Sequence, residues 1–366
     1  MKTYYTLIAI CLLAFASCQS LEVITIDQLV PSDLSFPESI KRVGIVNNVN
    51  VNAPDNNIPL ASDTTKHVFE IARKVTFHDG DAKLATESLA ETVAEANYFD
   101  EVIISDSTLR ANDIRVRQTT LSQIEVNDLT EELDVDMIIA LESIQLKAIR
   151  SVSYFIEGGY LGTVDVKMYP NVTLYLPNRK APLASVNATD SIFWEGVFAT
   201  QVRAQTQVIS DSKIIEEASA LAGTLPVKHI LPYWKTVERV YYTSNKADMK
   251  DASRLVKRGM WDEAFNLWSQ IHQSKKAKDQ MVTALNIALY YEVKDDLDQA
   301  ILWGEKALTL AKKIDKIDDN QPIVLIADSV EYQGRFQIAY LYLEALKQRK
   351  ELSTKLNMQM KRFEEE

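Results

Sequence analysis

With 366 residues, 46% of them hydrophobic and 25% charged, the chain has the make-up of ordinary folded protein and length enough for two domains. A formal charge of −11 repels phosphate backbones, so no nucleic acid is expected among its partners. The cysteine count of two, Cys11 and Cys18, leaves little scope for disulfides or thiolate metal sites.

The chain opens with one positive charge, Lys2, and an uncharged apolar stretch from Tyr4 to Ala16. That is the layout of an export signal, and it is too short to span a bilayer. It ends in "FASCQS", with small residues directly before Cys18. Plain cleavage after Ser17 or Ser20 is one reading of this junction. The other is a lipid anchor: acylation of Cys18 would hold the chain stably in a membrane once two or more acyl chains are present.

From residue 39 the pattern is that of a sheet with helices. "IKRVGIVNN" (40–48) reads as a buried strand. "GDAKLATESLAETVAEANYF" follows as a helix capped by Asp81, with Leu84, Leu89, Val93 and Ala96 on its apolar face. "FDEVIIS" is a second strand, "VNDLTEEL" a short helix, and "VDMIIALESIQLKAIRSVSYF" a long strand entering a turn at Gly158 and Gly159. Alternation in "TVDVKMYPNVTLYLP" and "ASVNATDSIFW" predicts antiparallel strands, with Pro170 at an edge or bulge. "SDSKIIEEASALAG" is a further helix, and "KTVERVYY" a strand closing the sheet.

After Asn245 the strand pattern gives way to helices that repeat. Ala252, Ala288 and Ala327 each precede a second alanine, Ala264, Ala300 and Ala339, by the same distance. Leu255, Tyr291 and Val330 take one matching apolar position, and Trp261, Leu297 and Phe336 another. Gly259 and Gly334 hold the intervening turn, where the middle copy has Asp295. This register resembles the tetratricopeptide repeat, in which paired helices stack and the first helix of each pair lines a concave surface. The resemblance places Lys250, Ser253, Lys257, Asn286, Leu289, Asp328 and Tyr332 on that surface as candidate binding residues.

The expected fold class is therefore α+β, an N-terminal mixed α/β sheet domain followed by an all-α tetratricopeptide-like domain. The boundaries read as a signal over 1–17, an anchor and linker over 18–38, the α/β domain over 39–243, three helix pairs over 244–349, and a helix end with an acidic tail over 350–366.

No catalytic constellation emerges. His67, His78, His229 and His272 lack zinc-ligand spacing, and there is no phosphate loop or nucleophile elbow. "FHDGD" (77–81) reads as a turn leading into a capped helix, "EGGYLG" as a hairpin turn, and Asp134 and Asp136 as ordinary acids at a strand start. "LPYWKTVERVYY" (231–242) gathers four aromatic residues that either join the two halves or stack on a sugar or peptide. No enzyme activity, cofactor or metal is expected.

Ala16-Ser17-Cys18 resembles the lipobox of bacterial lipoproteins, with Phe15 where leucine is usual. "FPESIKRVGIVNN", "HILPYWKTVERVYY" and "GMWDEAFNLW" resemble segments of Bacteroidetes-type tetratricopeptide lipoproteins of uncharacterised function. "KRVGIVNN", "LATESLAETVAEANYFDEVII" and "VDMIIALESIQL" are similar in order to the α/β domain of curli-secretion and penicillin-binding-protein-activator lipoproteins. Those resemblances imply a lipoprotein of the cell outer membrane, anchored through Cys18 on the periplasmic face, that acts as an adaptor for an envelope protein. A surface-exposed carbohydrate-binding lipoprotein is the alternative.

Overall fold

The computed structural model describes residues 19–50, 70–110, 120–317 and 334–363. In chain order these form β1 (Gln19–Val30), β2 (Arg42–Asn47), β3 (Glu70–Asp79), α1 (Ala82–Glu95), β4 (Glu101–Thr108), α2 (Gln123–Leu133), β5 (Met137–Tyr154) and β6 (Tyr160–Tyr175). Next come β7 (Ala184–Asn187), β8 (Asp190–Phe198), α3 (Gln201–Thr206), α4 (Asp211–Thr224), α5 (Val227–Ile230) and β9 (Tyr233–Ser244). The helices α6 (Ala247–Val256), α7 (Trp261–His272), α8 (Ala277–Val293), α9 (Leu297–Asp315) and α10 (Arg335–Met360) complete the set. The fold is α+β, a sheet-rich N-terminal part followed by a helical C-terminal part.

The described chain forms two compact units. In the α/β unit, built on residues 32–233, a seven-stranded sheet runs β4-β2-β5-β6-β7, with β3 also on β5 and β8 also on β6. β2 is parallel to β4 and β5, and the remaining pairs are antiparallel. The run Met137 to Leu141 of β5 is fully buried, as a central strand covered on both faces requires. Asp81 caps α1 by accepting the Leu84 amide at 3.0 Å, and Ser122 and Glu125 form a reciprocal capping box on α2. Helices α1 and α4 approach so closely that a Cβ on Gly223 would lie 2.2 Å from the Ala85 carbonyl oxygen. Pro170 sits on β6 between the segments paired with β8 and β7, where that side of the ladder asks for no amide. Opposite it, the β5 register shifts between Leu141 and Ser143, which makes Glu142 the extra residue of a bulge.

The helical unit combines residues 19–31 with 234–361. Its core includes Tyr241, Met249, Trp268, Met281, Leu285 and Leu346. The pairs α6–α7 and α8–α9 repeat at the level of single hydrogen bonds. In the first turn Gly259 N donates to Val256 O and Met260 N to Leu255 O; 36 residues on, Asp295 N donates to Glu292 O and Asp296 N to Tyr291 O. Gly259 and Asp295 both take positive φ, 73° and 61°. The third copy departs from this, since Gly334 has φ −60° and directly precedes α10. The residues expected to form its first helix, Ala327, Asp328, Val330 and Tyr332 among them, lie outside the described residues.

Three boundaries differ from the sequence reading. The stretch read as a linker contains β1, which pairs with β9 in a two-stranded ribbon. Strand β9 therefore does not close the large sheet, and both ribbon strands belong to the helical unit. Helix α10 runs unbroken through residue 350 to Met360. Strand β3, which the sequence reading passed over, covers the outer half of β5 from Gln145 to Ser153.

Candidate functional site

The residues expected on a concave binding surface do not form an open one. Asn286, in the middle of α8, is wholly buried, and its amide clamps the β9 backbone by accepting from Tyr242 N at 2.7 Å and donating to Tyr242 O at 2.8 Å. Leu289 is wholly buried, and Ser253 on α6 is buried against Tyr241 and Glu22. Lys257 is exposed and pairs with Glu22 at 2.9 Å, while Lys250 is exposed. Partial burial pushes the Glu22 carboxyl up, but hydrogen bonds from Tyr241, Lys257 and Ser253 outweigh it and hold the group below its ordinary range. The protein's own ribbon thus occupies the surface that the repeat register assigns to a ligand. The physical reason is the unsatisfied backbone of a two-stranded ribbon, which the polar side chains of the first helices meet. Asp328, Tyr332 and Cys18 lie outside the described residues.

An open groove of about 890 Å³ lies elsewhere on the helical unit. Its walls are the ends of the ribbon (residues 27–31 and 234–239), the α8–α9 turn and the outer half of α10. Val293, Leu297, Leu352 and Leu356 give it apolar surface, and Gln348 and Asn357 give it amides. Trp234 stands on its rim, 71% exposed.

A buried charge network fixes these walls together. Glu292, at the end of α8, is shielded completely from solvent and accepts hydrogen bonds from Arg239 Nη2 at 2.8 Å and Nε at 3.0 Å, and from Tyr342 Oη at 2.6 Å. Arg349 adds contacts to Glu292 and donates to Asp295 at 2.7 Å. Burial, together with the adjacent Glu292 charge, pushes the Tyr342 hydroxyl well above its ordinary value, so it remains a donor. Lys350 pairs with Asp298 at 3.0 Å and Thr236 donates to Asp27, which leaves the groove edges polar and held in place. The aromatic junction signalled Trp234 in the sequence. Glu292 was legible only as a lone carboxylate in the apolar run "IALYYEV", and Arg239 and Arg349 carried no signal of their own.

A second polar cluster lies in the α/β unit, where the order β4-β2-β5 reverses the direction of winding beside the carboxyl end of β2. Glu142 accepts from Tyr175 Oη at 2.6 Å and from Asn48 Nδ2 at 2.5 Å; Arg110 Nε donates to Asn48 Oδ1 at 2.7 Å and Nη1 to Glu125 at 2.8 Å. Burial pushes the Glu142 carboxyl up to about 7 despite those donors. Its oxygens are engaged by Tyr175 and Asn48, so the cluster ties β2, β5 and β6 together.

The remaining candidates have structural work. Asp136 accepts from the Lys41 and Arg42 amides at 2.8 and 2.9 Å, and Asp134 pairs with Arg42. His78 lies 3.2 Å from Thr76, and Gly158 and Gly159 turn β5 into β6 at positive φ. Among the described residues no group of three or more His, Cys, Asp or Glu could hold a metal, and no helix is long and apolar enough to cross a membrane.

A family model described as Domain of unknown function (DUF8603) matches residues 40–242, and another, Domain of unknown function (DUF6340), matches residues 250–348. No curated protein and no solved structure matches the chain.

Proposed function

The chain belongs to the DUF8603 family, whose description assigns no chemistry, and from that premise we propose a non-enzymatic, lipid-anchored adaptor of the outer membrane that holds an envelope protein in the groove of its helical unit. The observation that carries this reading is the groove of about 890 Å³, with apolar surface and walls pinned by the Glu292 network. A groove held open in this way spends little ordering entropy when a segment of a partner enters it. Export and anchoring rest on the apolar leader and on Cys18, and the repeat register supplies the scaffold.

A double variant tests the groove, because both side chains are exposed and their loss leaves the core intact: Trp234→Ala with Leu352→Asp. Crosslinking in intact cells followed by mass spectrometry should capture an envelope protein with the wild type and lose it with the variant. Capture of the same protein by both would overturn the groove reading.

The exposed Trp234, with Gln348 and Asn357 lining the same groove, favours carbohydrate binding as the second reading. Tryptophan emission that shifts with a soluble glycan in the wild type, and stays fixed in Trp234→Ala, would move the assignment to that reading.

A further inference from the structure

The ribbon connects the anchoring position to a definite surface. Glu22 meets Tyr241 and Asp27 meets Thr236, so five residues forward in β1 are five residues back in β9, and the strands run antiparallel. This register sets Gln19 opposite Ser244. Strand β1 begins at Gln19, the residue after Cys18, so no spacer separates the proposed acyl site from the folded unit. One residue spans at most about 3.6 Å.

Lysines crowd this end of the unit. Lys246, two residues beyond Ser244, donates to Asp279 in the first turn of α8 at 2.6 Å. The chain just before that aspartate reads "SKKAKD", and Lys275 and Lys276 are exposed there. Lys250 is exposed one turn along α6 from Lys246. Five lysines (246, 250, 275, 276 and 278) thus stand in these segments with three aspartates (248, 251 and 279), of which Asp279 is paired with Lys246 and Asp251 with Arg254. In a chain of formal charge −11 this is a local reversal of sign. Beside it, the outward face of β1 exposes Leu21 (42%) and Val23 (61%).

We propose that this end of the helical unit, marked by Lys250, Lys275, Lys276, Leu21 and Val23, is a membrane-resting surface for anionic phospholipid headgroups. Exposed aliphatic side chains on the same unit as exposed lysines suit the boundary between headgroups and acyl chains, where each lysine adds attraction to anionic headgroups. The inference rests on the anchored reading for its biological setting, while the surface itself can be tried without the anchor.

The test uses the unacylated mature chain, Cys18→Ser, sedimented with vesicles of phosphatidylglycerol or of phosphatidylcholine. Binding is expected to phosphatidylglycerol alone, weakened by about tenfold or more in Lys275→Glu/Lys276→Glu. It should also weaken in Val23→Glu and at high salt. Absence of binding to phosphatidylglycerol at low salt, or equal binding by wild type and lysine variant, would overturn the proposal. Metabolic acyl labelling of the wild type against Cys18→Ala reports separately on the anchor, so the two can fail independently.

Discussion

Among the described residues each of the two units buries one glutamate, and they satisfy it in opposite ways. In the α/β unit Glu142 meets a phenol and an amide, and its carboxyl is pushed up to about 7. In the helical unit Glu292 meets two guanidinium groups and a phenol. A buried carboxyl with neutral donors keeps the option of taking a proton, whereas one between arginines answers charge with charge. The first arrangement suits a seam between strands that has only to remain closed. The second ties three chain segments around an open groove, where solvent nearby lowers the penalty of keeping arginines charged.

The sharpest way to break the comparison is Glu292→Ala. It strands Arg239 without its anion and leaves Arg349 only Asp295, and the expected loss is about 3–5 kcal/mol. Urea unfolding should show an earlier transition for the helical unit, and tryptophan fluorescence will follow it through the buried Trp268. A loss below about 1 kcal/mol would mean that the arginines find solvent as readily as they find Glu292.

Glu142 is expected to have the next effect, and its sign depends on pH. Its folded value of about 7 exceeds the ordinary 4.5, so the folded state holds the proton more tightly. That contribution is fully present below about pH 4.5 and is lost as pH rises through about 7; the full gap corresponds to about 3 kcal/mol. Glu142→Gln should therefore lose less stability than the wild type between about pH 5 and about pH 8. Equal pH slopes in urea midpoints would show that Arg110 and its neighbours already balance the charge.

The smallest expected effect, about 1–3 kcal/mol, is that of Asn286→Ala, which leaves the Tyr242 amide and carbonyl without their side-chain partner. Hydrogen exchange should quicken at Tyr242 and along β9 while the α/β unit keeps its protection. Unchanged exchange at Tyr242 would show that the ribbon holds itself.

The elements easiest to read in the sequence were those whose local signals agree with their packing. Asp81 announced α1, Gly158 and Gly159 announced the β5–β6 turn, and the buried run at Met137–Leu141 announced a central strand. The equivalence of Gly259 and Asp295 as turn residues was also legible, because both positions ask for a left-handed backbone. Strand β1 was missed although "EVITID" alternates, because its neighbour Cys18 suggested a tether. A strand's partner is a long-range fact, and nothing local in "KTVERVYY" says that it pairs with residues near the start of the chain. The groove was illegible for the same reason, since Arg239, Glu292 and Arg349 come from three distant segments. The repeat register assigns Asn286 and Ser253 to the first helices of their pairs, and it could not reveal that the chain's own strands lie upon them.

Because β1 and β9 flank the whole α/β unit in sequence, the helical unit is a discontinuous domain. A chain exported from its N-terminus, as proposed, delivers β1 first and must then deliver residues 32–232 before β9 arrives. Until then Leu21, Val23 and Ile24 have no strand to pair with, and the loop that must close spans 219 residues from Glu22 to Tyr241. The order of maturation follows: the α/β unit can complete its sheet while β1 is still waiting, and the ribbon forms late. If the chain is exported as proposed, a chaperone that guards it would therefore find its most persistent hydrophobic handle in the dozen residues after Cys18.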